Sequence, residues 1–504
     1  MGESPKSRNS PAELAPEEFR SIGHSLVDSV ANFLSTLRTA PTASPLSPNA
    51  IRELLGTRAM PQDGGDVAAV IKDFSEKFFA HSTHNGSPRF FGYITSSAAP
   101  VGALADLLAA AVNPNVGAWA LSPLATEVER ETIRWIAVFL GLTPEWDGLL
   151  VSGGNMANLV GFVAARTAKA DWNIRESGLR SAEARNLVVY ASSETHTWLY
   201  KATDISGLGT NAIRWVPVDA DLRISVDALQ NMIGEDIQAG LTPFMVVGTA
   251  GSVSTGAIDP LKEVSEVCSR FGLWLHVDGA YGAPAAGLAN PPAGLESLRY
   301  ADSIAVDPHK WLYSSLEAGC ILTRHPDALR NAFSFAPPYY QFDDHDGEAV
   351  TNYFESGPQN SRGFRALKIW LAFQQVGANG FRQMIGDDIA LAKKLHDLVG
   401  GSECLEQGTH SLSITTFRYV PIDLSTKREE KDVAEYLNEL NARIVTAIRV
   451  GGRAFLSNAV VDHKFMLRAC IVNFRTTEDD VASLPPLVES VGKKVDAELR
   501  ERRK

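Results

Sequence analysis

Short, almost wholly apolar runs alternate with helical stretches through the middle of this chain, from about residue 100 to residue 375. Runs of this kind predict strands that are buried on both faces of a sheet. Strands that alternate with helices favour a mainly parallel sheet with helices on both sides, which is an α/β fold. The candidate strands are Gly148–Val151, Leu187–Tyr190, Phe244–Val247, Leu273–Val277 and Ser303–Val306.

The two ends of the chain differ from this middle part. Between Glu17 and Leu37, apolar residues recur at helical spacing, so the predicted helix has an apolar face that covers either its own body or a partner subunit. After about residue 385, alternating strands and charged amphipathic helices predict a smaller α+β domain. The expected strands are Ser411–Tyr419 and Met466–Phe474, and the expected helices are Glu429–Val445 and Leu487–Arg500.

The length of 504 residues exceeds that of one ordinary core, which predicts several domains. We expect a disordered polar tail (1–15), an N-terminal helical segment (16–95), a large domain (96–385) and a C-terminal α+β domain (386–504).

The net charge of −12 argues against nucleic acid as the main partner. Four scattered cysteines without metal spacing indicate reduced thiols of a cytoplasmic protein, and no stretch approaches transmembrane length.

The segment Asp307-Pro-His-Lys-Trp311 follows a β-type run and places a lysine beside an imidazole and a large aromatic ring. A lysine in apolar surroundings loses solvation of its ammonium form, so we expect the pKa of Lys310 to be lowered and its amine to be nucleophilic. Such an amine can hold a carbonyl cofactor as a Schiff base. Taken alone, the segment also fits a strand that ends in an ordinary lysine next to a hydrogen-bonded His309.

Two other strand ends supply groups that a pyridoxal 5'-phosphate (PLP) site needs. Gly153, Gly154 and Asn155 form a glycine turn that opens a helix and favours a phosphate, although an ordinary strand–helix turn has the same pattern. Asp278 ends a buried strand, where its carboxylate requires a cation such as a protonated pyridinium. Ala280 is small enough to lie under a ring. The alternative for Asp278 is a carboxylate that caps a turn.

Four further residues are candidates with open alternatives. His196 follows another strand and could stack on the opposite face of the ring, although a lone histidine is often structural. Thr249 could hydrogen-bond the ring hydroxyl or belong to a plain turn. Tyr339 lies in a long polar loop and could donate a proton, while the cluster Asp343-Asp-His-Asp346 in that loop lacks metal spacing. Ser361 precedes a helix and could meet an anion.

The segment Gly207-Leu-Gly-Thr-Asn-Ala212 matches a dinucleotide fingerprint but has the wrong context. A true fingerprint follows a strand and opens a helix. Here no apolar strand precedes it, and the residues from Ile213 onwards predict a strand. The sequence therefore disfavours a dinucleotide cofactor.

Taken together, the segments Ser152–Asn158, His196, Asp278–Tyr281 and Asp307–Trp311 give the chain a clear likeness: it resembles the group II PLP-dependent amino-acid decarboxylases, and among these the aromatic-L-amino-acid decarboxylases. The similarity runs from about Glu17 to the end of the chain. It implies a PLP-dependent transferase-like fold of type I, with a mainly parallel seven-stranded sheet in the large domain. It also implies a homodimer with active sites at the subunit interface and the N-terminal helix packed on the partner.

The resemblance also implies roles for individual residues. Lys310 would be the Schiff-base lysine, Asp278 would pair with the pyridinium, and His196 would stack on the ring that Ala280 backs. Tyr339 matches the loop tyrosine that protonates the substrate carbon from the neighbouring subunit, and Ser361 matches a phosphate-loop position donated in trans. Further cofactor contacts would come from Gly153, Gly154, Asn155, Thr249 and His309. The implied substrate pocket comprises Phe90, Phe91, Tyr93, Thr95, Gly117 and Trp119, and core packing is the alternative for its aromatic members.

Three positions depart from the pattern of the family. Asp307 stands where animal relatives have Asn near the phosphate, so its acid must be satisfied in another way. The turn Gly153–Asn155 replaces a serine-rich one, which shifts phosphate binding towards backbone amides. Gly117 stands where animal enzymes carry a Phe against the substrate ring, and we expect it to leave room there.

The resemblance implies decarboxylation of an aromatic L-amino acid (Trp, Tyr, Phe or dihydroxyphenylalanine) to an arylalkylamine and CO2. A decarboxylase of an acidic amino acid (Glu, Asp or cysteine sulfinate) would need a cation in the pocket, and Arg89 is the only candidate in the expected pocket segments. An aromatic aldehyde synthase is a second alternative, which Tyr339 disfavours because such enzymes tend to have Phe there. A non-catalytic relative is disfavoured by the intact Lys310, Asp278 and His196.

Overall fold

A computed structural model describes residues 10–56, 59–335 and 348–503 of the chain. The strands are β1 (Phe90–Phe91), β2 (Asp147–Val151), β3 (Leu187–Ser192), β4 (Ile213–Val216), β5 (Thr242–Thr249), β6 (Trp274–Asp278), β7 (Ser303–Val306), β8 (Gly319–Thr323), β9 (Leu405–Ser411), β10 (Ile414–Tyr419), β11 (Phe455–Val461) and β12 (Lys464–Cys470).

Seven helices precede the third strand of the chain, and eight follow it. They are α1 (Pro16–Thr36), α2 (Pro48–Leu55), α3 (Val67–His81), α4 (Val101–Val112), α5 (Pro123–Phe139), α6 (Gly154–Lys169), α7 (Ile174–Ser177), α8 (Trp198–Ile205), α9 (Val226–Gln238), α10 (Leu261–Phe271), α11 (Ala328–Phe333), α12 (Ala366–Gly400), α13 (Lys431–Val450), α14 (Glu478–Ala482) and α15 (Leu484–Arg503), counted over the described ranges.

The larger sheet has seven strands in the order β2-β8-β7-β6-β5-β3-β4. The pairings among β3 to β7 are all parallel, and β8 runs antiparallel to both of its neighbours. Two reversals leave β2 pointing in the same direction as β7. Consequently the carboxyl ends of six strands lie along one edge of the sheet, where open α/β sheets place their ligands. The predicted mainly parallel sheet is confirmed.

Burial explains why these strands were visible in the sequence. Every residue of β3, β6, β7 and β8 is buried, so the strands are apolar on both faces. All five candidate strands fall on observed strands, each within two residues at either end. The segment after Gly207 forms β4, so the dinucleotide fingerprint lies in a loop before a strand, as its context indicated.

A smaller five-stranded sheet has the order β1-β11-β12-β10-β9 and packs against α13 and α15 around a second apolar core. The expectation of one strand over Ser411–Tyr419 is wrong. The chain reverses at Leu412, whose φ of 49° is left-handed, and the segment is the turn and second strand of the hairpin β9–β10. The expected strand Met466–Phe474 begins earlier and ends at Cys470.

The long helix α12 connects the two sheets. Its first half packs on α4 and α5 beside the large sheet, and its second half packs on β9 and β10 of the smaller one. Gly377, with φ 66° and ψ 164°, breaks the helical path between the halves. Only glycine adopts such a conformation without a steric penalty, so this residue permits the change of direction.

The N-terminal helices leave apolar side chains exposed in a single chain. Helix α1 packs on α3 with the rings of Phe33 and Phe79 stacked at 4.7 Å. On the outer sides of these two helices and of α4, large apolar residues remain exposed: Phe19, Leu26, Phe74, Phe78, Leu104, Leu107 and Leu108. In the described ranges, no helix combines the length and the apolar character that crossing a bilayer requires.

Candidate active site

A cavity of about 610 Å³ opens at the carboxyl edge of the large sheet. Segments that follow β2, β3, β5, β6 and β7 form one wall, because parallel strands end at the same edge. The opposite wall comes from Tyr93–Thr95 and from Ser457, Asn458 and Arg468 of the smaller sheet. The cavity therefore lies between the two sheets.

The cavity brings together most residues that the sequence motifs singled out. Of the candidates, those that line it are Tyr93, Thr95, Gly153, Gly154, Asn155, His196, Thr249, Asp278, Ala280, His309 and Lys310. We call Lys310, Asp278, His196 and Thr249 the cavity group. The candidates Phe90, Phe91, Gly117, Trp119 and Ser361 lie elsewhere, and Tyr339 and the cluster Asp343–Asp346 fall outside the described residues.

Phe90 and Phe91 do not face the cavity, so placing them in the substrate pocket was wrong. They form β1, which pairs in parallel with β11 of the smaller sheet. Phe90 stacks on Phe455 with ring centroids 4.7 Å apart, and Phe91 is buried in the second apolar core. Their role in this structure is packing between distant parts of the chain.

Gly117, Trp119 and Ser361, which we call the surface group, lie outside the cavity of their own chain. Gly117 stays a predicted opening beside the substrate ring, but its own chain leaves no space for a side chain there, because a Cβ would collide with the carbonyl oxygen of Asn360. The Trp119 indole donates to Glu127 at 3.0 Å, and Ser361 is exposed.

A buried ion pair beneath the surface group fixes it in place. Arg362, next to Ser361, pairs with Glu129, and both side chains are almost fully buried. Arg362 also donates to the carbonyl oxygens of Val116 and Leu150, while the Leu150 N–H donates to Glu129. The surface group is thus held rigidly against the end of β2.

The environment of Lys310 overturns the expected direction of its pKa. Its Nζ lies 2.9 Å from Oδ2 of Asp307. Burial alone would lower the pKa, but the charges of Asp307 and Asp278 and the hydrogen bond that Lys310 donates to Asp307 outweigh it, so the pKa of Lys310 lies above its ordinary value. In the absence of a bound cofactor this lysine is an ammonium ion at neutral pH.

The structure shows which groups compensate the buried carboxylate of Asp307. The residue is buried, its Oδ2 pairs with Lys310, and His309 Nε2 lies 3.7 Å away. A Cβ at Gly154 would lie 2.6 Å from the same oxygen, so glycine allows the acid to sit directly against the turn. The other oxygen, Oδ1, is buried and accepts no hydrogen bond from the part of the chain described.

Asp278 and His196 are joined through a residue that the sequence argument overlooked. Trp198 donates from its indole Nε1 to Asp278 Oδ2 at 2.9 Å and from its backbone N–H to His196 Nδ1 at 3.3 Å. Burial is the largest cause that lowers the pKa of His196, so its imidazole is neutral near pH 7. With Nδ1 accepting, the ring proton lies on Nε2.

The glycine turn has the features of an anion site. Gly153, with φ 139°, precedes the first turn of α6, and the amides of Gly154 and Asn155 have no carbonyl one turn earlier in that helix to receive them. Across the cavity, the buried hydroxyl of Thr249 has no hydrogen-bond partner among residues 10–56, 59–335 and 348–503. A phosphate at the turn and a ring hydroxyl at Thr249 would satisfy both, so the residues present fit PLP.

Arg468 and Glu194 are cavity residues that the sequence argument missed. Arg468 lies on β12 and is buried; it donates to the carbonyls of Ser254 and Tyr93 and to Ser457 Oγ. Its Nη2 is buried without a partner in the described structure. Burial raises the pKa of Glu194. The available signal for Arg468 was a lone cation between apolar residues of an alternating strand.

Comparisons with known proteins agree with this geometry. The family model described as the pyridoxal-dependent decarboxylase conserved domain matches residues 48–411. An aromatic-L-amino-acid decarboxylase of Bacillus atrophaeus is 34% identical over 484 residues, 96% of this chain and 97% of that protein. A phenylacetaldehyde synthase of Petunia hybrida is 31% identical, over 91% of each. The crystal structure of Oryza sativa TDC with PLP and tryptamine has a TM-score of 0.87 and 28% identity, and the match covers 97% of this chain and 99% of that chain.

Proposed function

Since the chain belongs to the pyridoxal-dependent decarboxylase family, we propose that it converts an aromatic L-amino acid (Trp, Tyr, Phe or dihydroxyphenylalanine) to the arylalkylamine and CO2. The protein is a PLP-dependent carboxy-lyase of fold type I, and PLP is its cofactor. The observation that carries the proposal is the meeting of Lys310, Asp278 and His196 with the glycine turn in one cavity.

In the proposed site, this chain's residues hold PLP at several points. Lys310 would bind the aldehyde carbon covalently, and the carboxylate of Asp278 would keep a proton on the pyridine nitrogen. His196 and Ala280 would enclose the ring, and Thr249 would donate to the ring hydroxyl. The amides of Gly154 and Asn155 would donate to the phosphate. When bound, PLP supplies the electron sink that accepts the electron pair left as CO2 departs.

The remaining steps belong to the protein. We propose that the unpartnered Nη2 of Arg468 receives the substrate carboxylate, since a buried guanidinium nitrogen without an acceptor is costly unless an anion completes it. Tyr339 would then deliver a proton to the substrate carbon, and Lys310 Nζ, which the substrate amine displaces on binding, would hold the cofactor again once the product amine leaves. The side chains of Tyr93, Val253 and Leu316 border the space for the substrate side chain.

An acidic amino acid is the second candidate substrate, and one observation favours it. Arg89 is not a pocket residue, because its guanidinium points to the carbonyls of Arg38 and Ala40. Arg468, in contrast, is a buried cation in the cavity. It could bind the side-chain carboxylate of an acidic substrate instead of the carboxylate that leaves as CO2. The absence of a cation therefore no longer argues against Glu, Asp or cysteine sulfinate.

Product analysis separates these possibilities. The purified protein with PLP would be incubated in air with Trp, Tyr, Phe, dihydroxyphenylalanine, Glu, Asp and cysteine sulfinate, and the amines, aldehydes, ammonia and hydrogen peroxide would be quantified. We expect one amine per CO2 from an aromatic substrate, without peroxide. Aldehyde with equimolar ammonia and peroxide would identify an oxidative synthase, which consumes O2. Amine from acidic substrates alone would overturn the aromatic assignment.

We also propose that the active protein is a homodimer whose sites lie at the interface. Two features support this: the exposed apolar side chains of α1, α3 and α4, and the surface group, whose residues match substrate and phosphate positions yet lie outside their own cavity. Association would bury the apolar residues and bring a second copy's surface group to the cavity.

A further inference from the structure

A buried carboxylate on α12 holds the segment that carries Lys310. Asp388 is almost fully buried, and its Oδ2 accepts hydrogen bonds from the indole of Trp311 at 2.9 Å and from the hydroxyl of Tyr313 at 2.7 Å. Both donors are fully buried. Because they follow Lys310 by one and three residues, a single oxygen fixes the backbone on the carboxyl side of the lysine.

The groups around Asp388 contain no compensating cation. Asp388 forms no ion pair within the described ranges. The titratable groups that act on it or on its donors are Asp387 on its own helix, Tyr313 on the lysine segment, Tyr281 beside Trp311, and Cys470 at the end of β12. A backbone N–H of Asn473 donates a third hydrogen bond.

Burial without a cation places this acid near its titration point at neutral pH. Desolvation raises the pKa of Asp388 to about 7, and the hydrogen bonds from Tyr313, Trp311 and Asn473 oppose that rise. The ionised form is the stronger acceptor for both side-chain donors. A proton on Asp388 therefore weakens the two bonds that restrain the lysine segment.

The backbone at Tyr313 has an unfavourable conformation that the hydrogen bond to Asp388 helps to maintain. Its φ of 50° is left-handed, which is uncommon for a bulky residue and is retained only where surrounding contacts enforce it. Those contacts are the hydrogen bond to Asp388, the turn bond from Tyr313 N–H to Lys310 O at 3.2 Å, and the bond from Ala99 N–H to Tyr313 O at 2.8 Å. The turn that ends at Tyr313 thus begins at the lysine itself.

The segment that carries Asp278, on one side of the cavity, also contacts a residue that is hydrogen-bonded to Asp388. Tyr281, three residues after Asp278, stacks on Trp311 with ring centroids 4.9 Å apart, and its hydroxyl meets Ser413 Oγ of the smaller sheet at 2.6 Å. Asp388 therefore lies where α12, the lysine segment and the Asp278 segment meet. A change in the protonation of Asp388 can therefore affect the position of Lys310 and of the Asp278 segment.

We propose that Asp388 is a positioning residue: in its ionised form it directs the amine of Lys310 into the cavity through Trp311 and Tyr313, and protonation relaxes that direction. The proposal rests on the proposed function only in taking Lys310 as the residue that binds PLP. Asp388 does not touch the cavity and takes no proton from substrate.

The test follows the absorption spectrum of bound PLP and kcat/KM from pH 5.5 to 9 in four holoenzymes: wild type, Asp388→Asn, Tyr313→Phe and Asp387→Asn. Asp387 neighbours Asp388 on α12 but is exposed, so it is the matched control. We expect the wild type to show a transition near pH 7, and the control to keep this transition at a slightly lower pH, because the charge of Asp387 contributes to raising the pKa of Asp388. Asp388→Asn should lose this transition and keep a low-pH spectrum throughout, with kcat/KM at pH 8 reduced about tenfold. Tyr313→Phe removes one donor to the carboxylate and should move the midpoint upward by up to about one pH unit.

Other outcomes decide against the proposal. A transition that persists unchanged in both Asp388→Asn and Tyr313→Phe would show that another group titrates. If Asp388→Asn does not fold, an unshifted midpoint in Tyr313→Phe alone rejects the role. Borohydride reduction followed by peptide mapping keeps the two proposals apart: PLP on a residue other than Lys310 defeats the proposed function, whereas PLP on Lys310 with no effect of either variant defeats only the positioning role.

Stability gives an independent readout. Because the pKa of Asp388 is higher in the folded protein than its ordinary 3.8, folding takes up a proton there, and the contribution of this group to stability falls as pH rises from about 4 to about 7. Replacement by Asn removes that decline. We therefore expect the urea midpoint of Asp388→Asn to fall less between pH 5 and pH 8 than that of the wild type, although its activity is lower.

Discussion

The cavity group and the surface group were both singled out from the same sequence, but only the first assembles within one chain. Lys310, Asp278, His196 and Thr249 come from segments far apart in sequence and still line one cavity. Gly117, Trp119 and Ser361 also lie near one another, held by the buried Arg362–Glu129 pair, yet they are outside that cavity.

The difference has a topological cause. Each member of the cavity group ends or follows a parallel strand, and the sheet brings such ends to one edge whatever the intervening loops do. The surface group follows α4 or precedes α12, and no strand delivers it to that edge. Sequence motifs of the first kind report a site in one chain, and those of the second kind, we propose, report the site of a neighbouring copy.

The largest expected effect comes from removing the central member of the cavity group. Lys310→Ala should abolish covalent PLP retention and reduce decarboxylation by at least about 10³-fold, because the covalent link to the cofactor is lost. Borohydride reduction, peptide mapping and turnover measurements check this. Lys394→Ala, at a half-exposed lysine on α12, is the matched control and should behave as the wild type. Full PLP labelling in Lys310→Ala would refute the assignment.

The comparison is sharpened by mixing two inactive variants. Lys310→Ala lacks the cavity residue, and Tyr339→Phe lacks the loop tyrosine that we expect to act on the neighbouring site. If the contribution is made in trans, unfolding and refolding the two together should restore about one quarter of wild-type activity, since random pairing makes about half of the dimers mixed and gives each of these one intact site. A mixture as inactive as its components would place Tyr339 in its own cavity. Each variant refolded alone is the control.

A smaller effect on the reaction is expected from removing the carboxylate that pairs with Lys310 of the cavity group. Asp307→Asn removes the carboxylate 2.9 Å from Lys310 Nζ, so the raised pKa of the lysine should fall and its neutral fraction near pH 8 should rise, by about tenfold for each unit. The rate at which cofactor-free protein takes up PLP, measured by absorbance from pH 6.5 to 10, checks this. An unchanged pH dependence would contradict it, and Asp387→Asn is the control.

The same pair gives a stability test with a defined sign. The pKa of Lys310 is raised in the folded protein, so the stabilisation from its ion pair is complete below pH 10.5 and is lost as pH rises through the folded value. Asp307→Asn should therefore lose stability relative to the wild type at neutral pH, with the difference narrowing in strong alkali.

The strands of the large sheet and the cavity group were predictable because burial on both faces leaves an apolar signature that ends at a polar residue. The position of Phe90 and Phe91 was not predictable, because an aromatic pair gives the same sequence pattern in a pocket as in a strand whose partner lies far along the chain. Arg468 was missed because strand alternation does not tell which face meets a cavity.

The direction of the Lys310 pKa shows a different limit. The motif indicates burial, which lowers the pKa of a lysine, but the sign of the net shift depends on how far away the nearest carboxylates lie. Asp307 is three residues before Lys310, and only the turn between them brings their charged atoms to 2.9 Å. Spacing of that kind in a turn is a usable signal for an ion pair.

The pairing of β1 with β11 has a consequence for biosynthesis. The neighbouring contact between Tyr93 and Ser457 spans 364 residues, so the strand near the amino terminus leaves the ribosome long before its partner exists. At about 5–20 residues per second, the wait is on the order of tens of seconds. During that interval Phe90 and Phe91 have no partner strand to pair with, so their aromatic side chains remain exposed on the nascent chain.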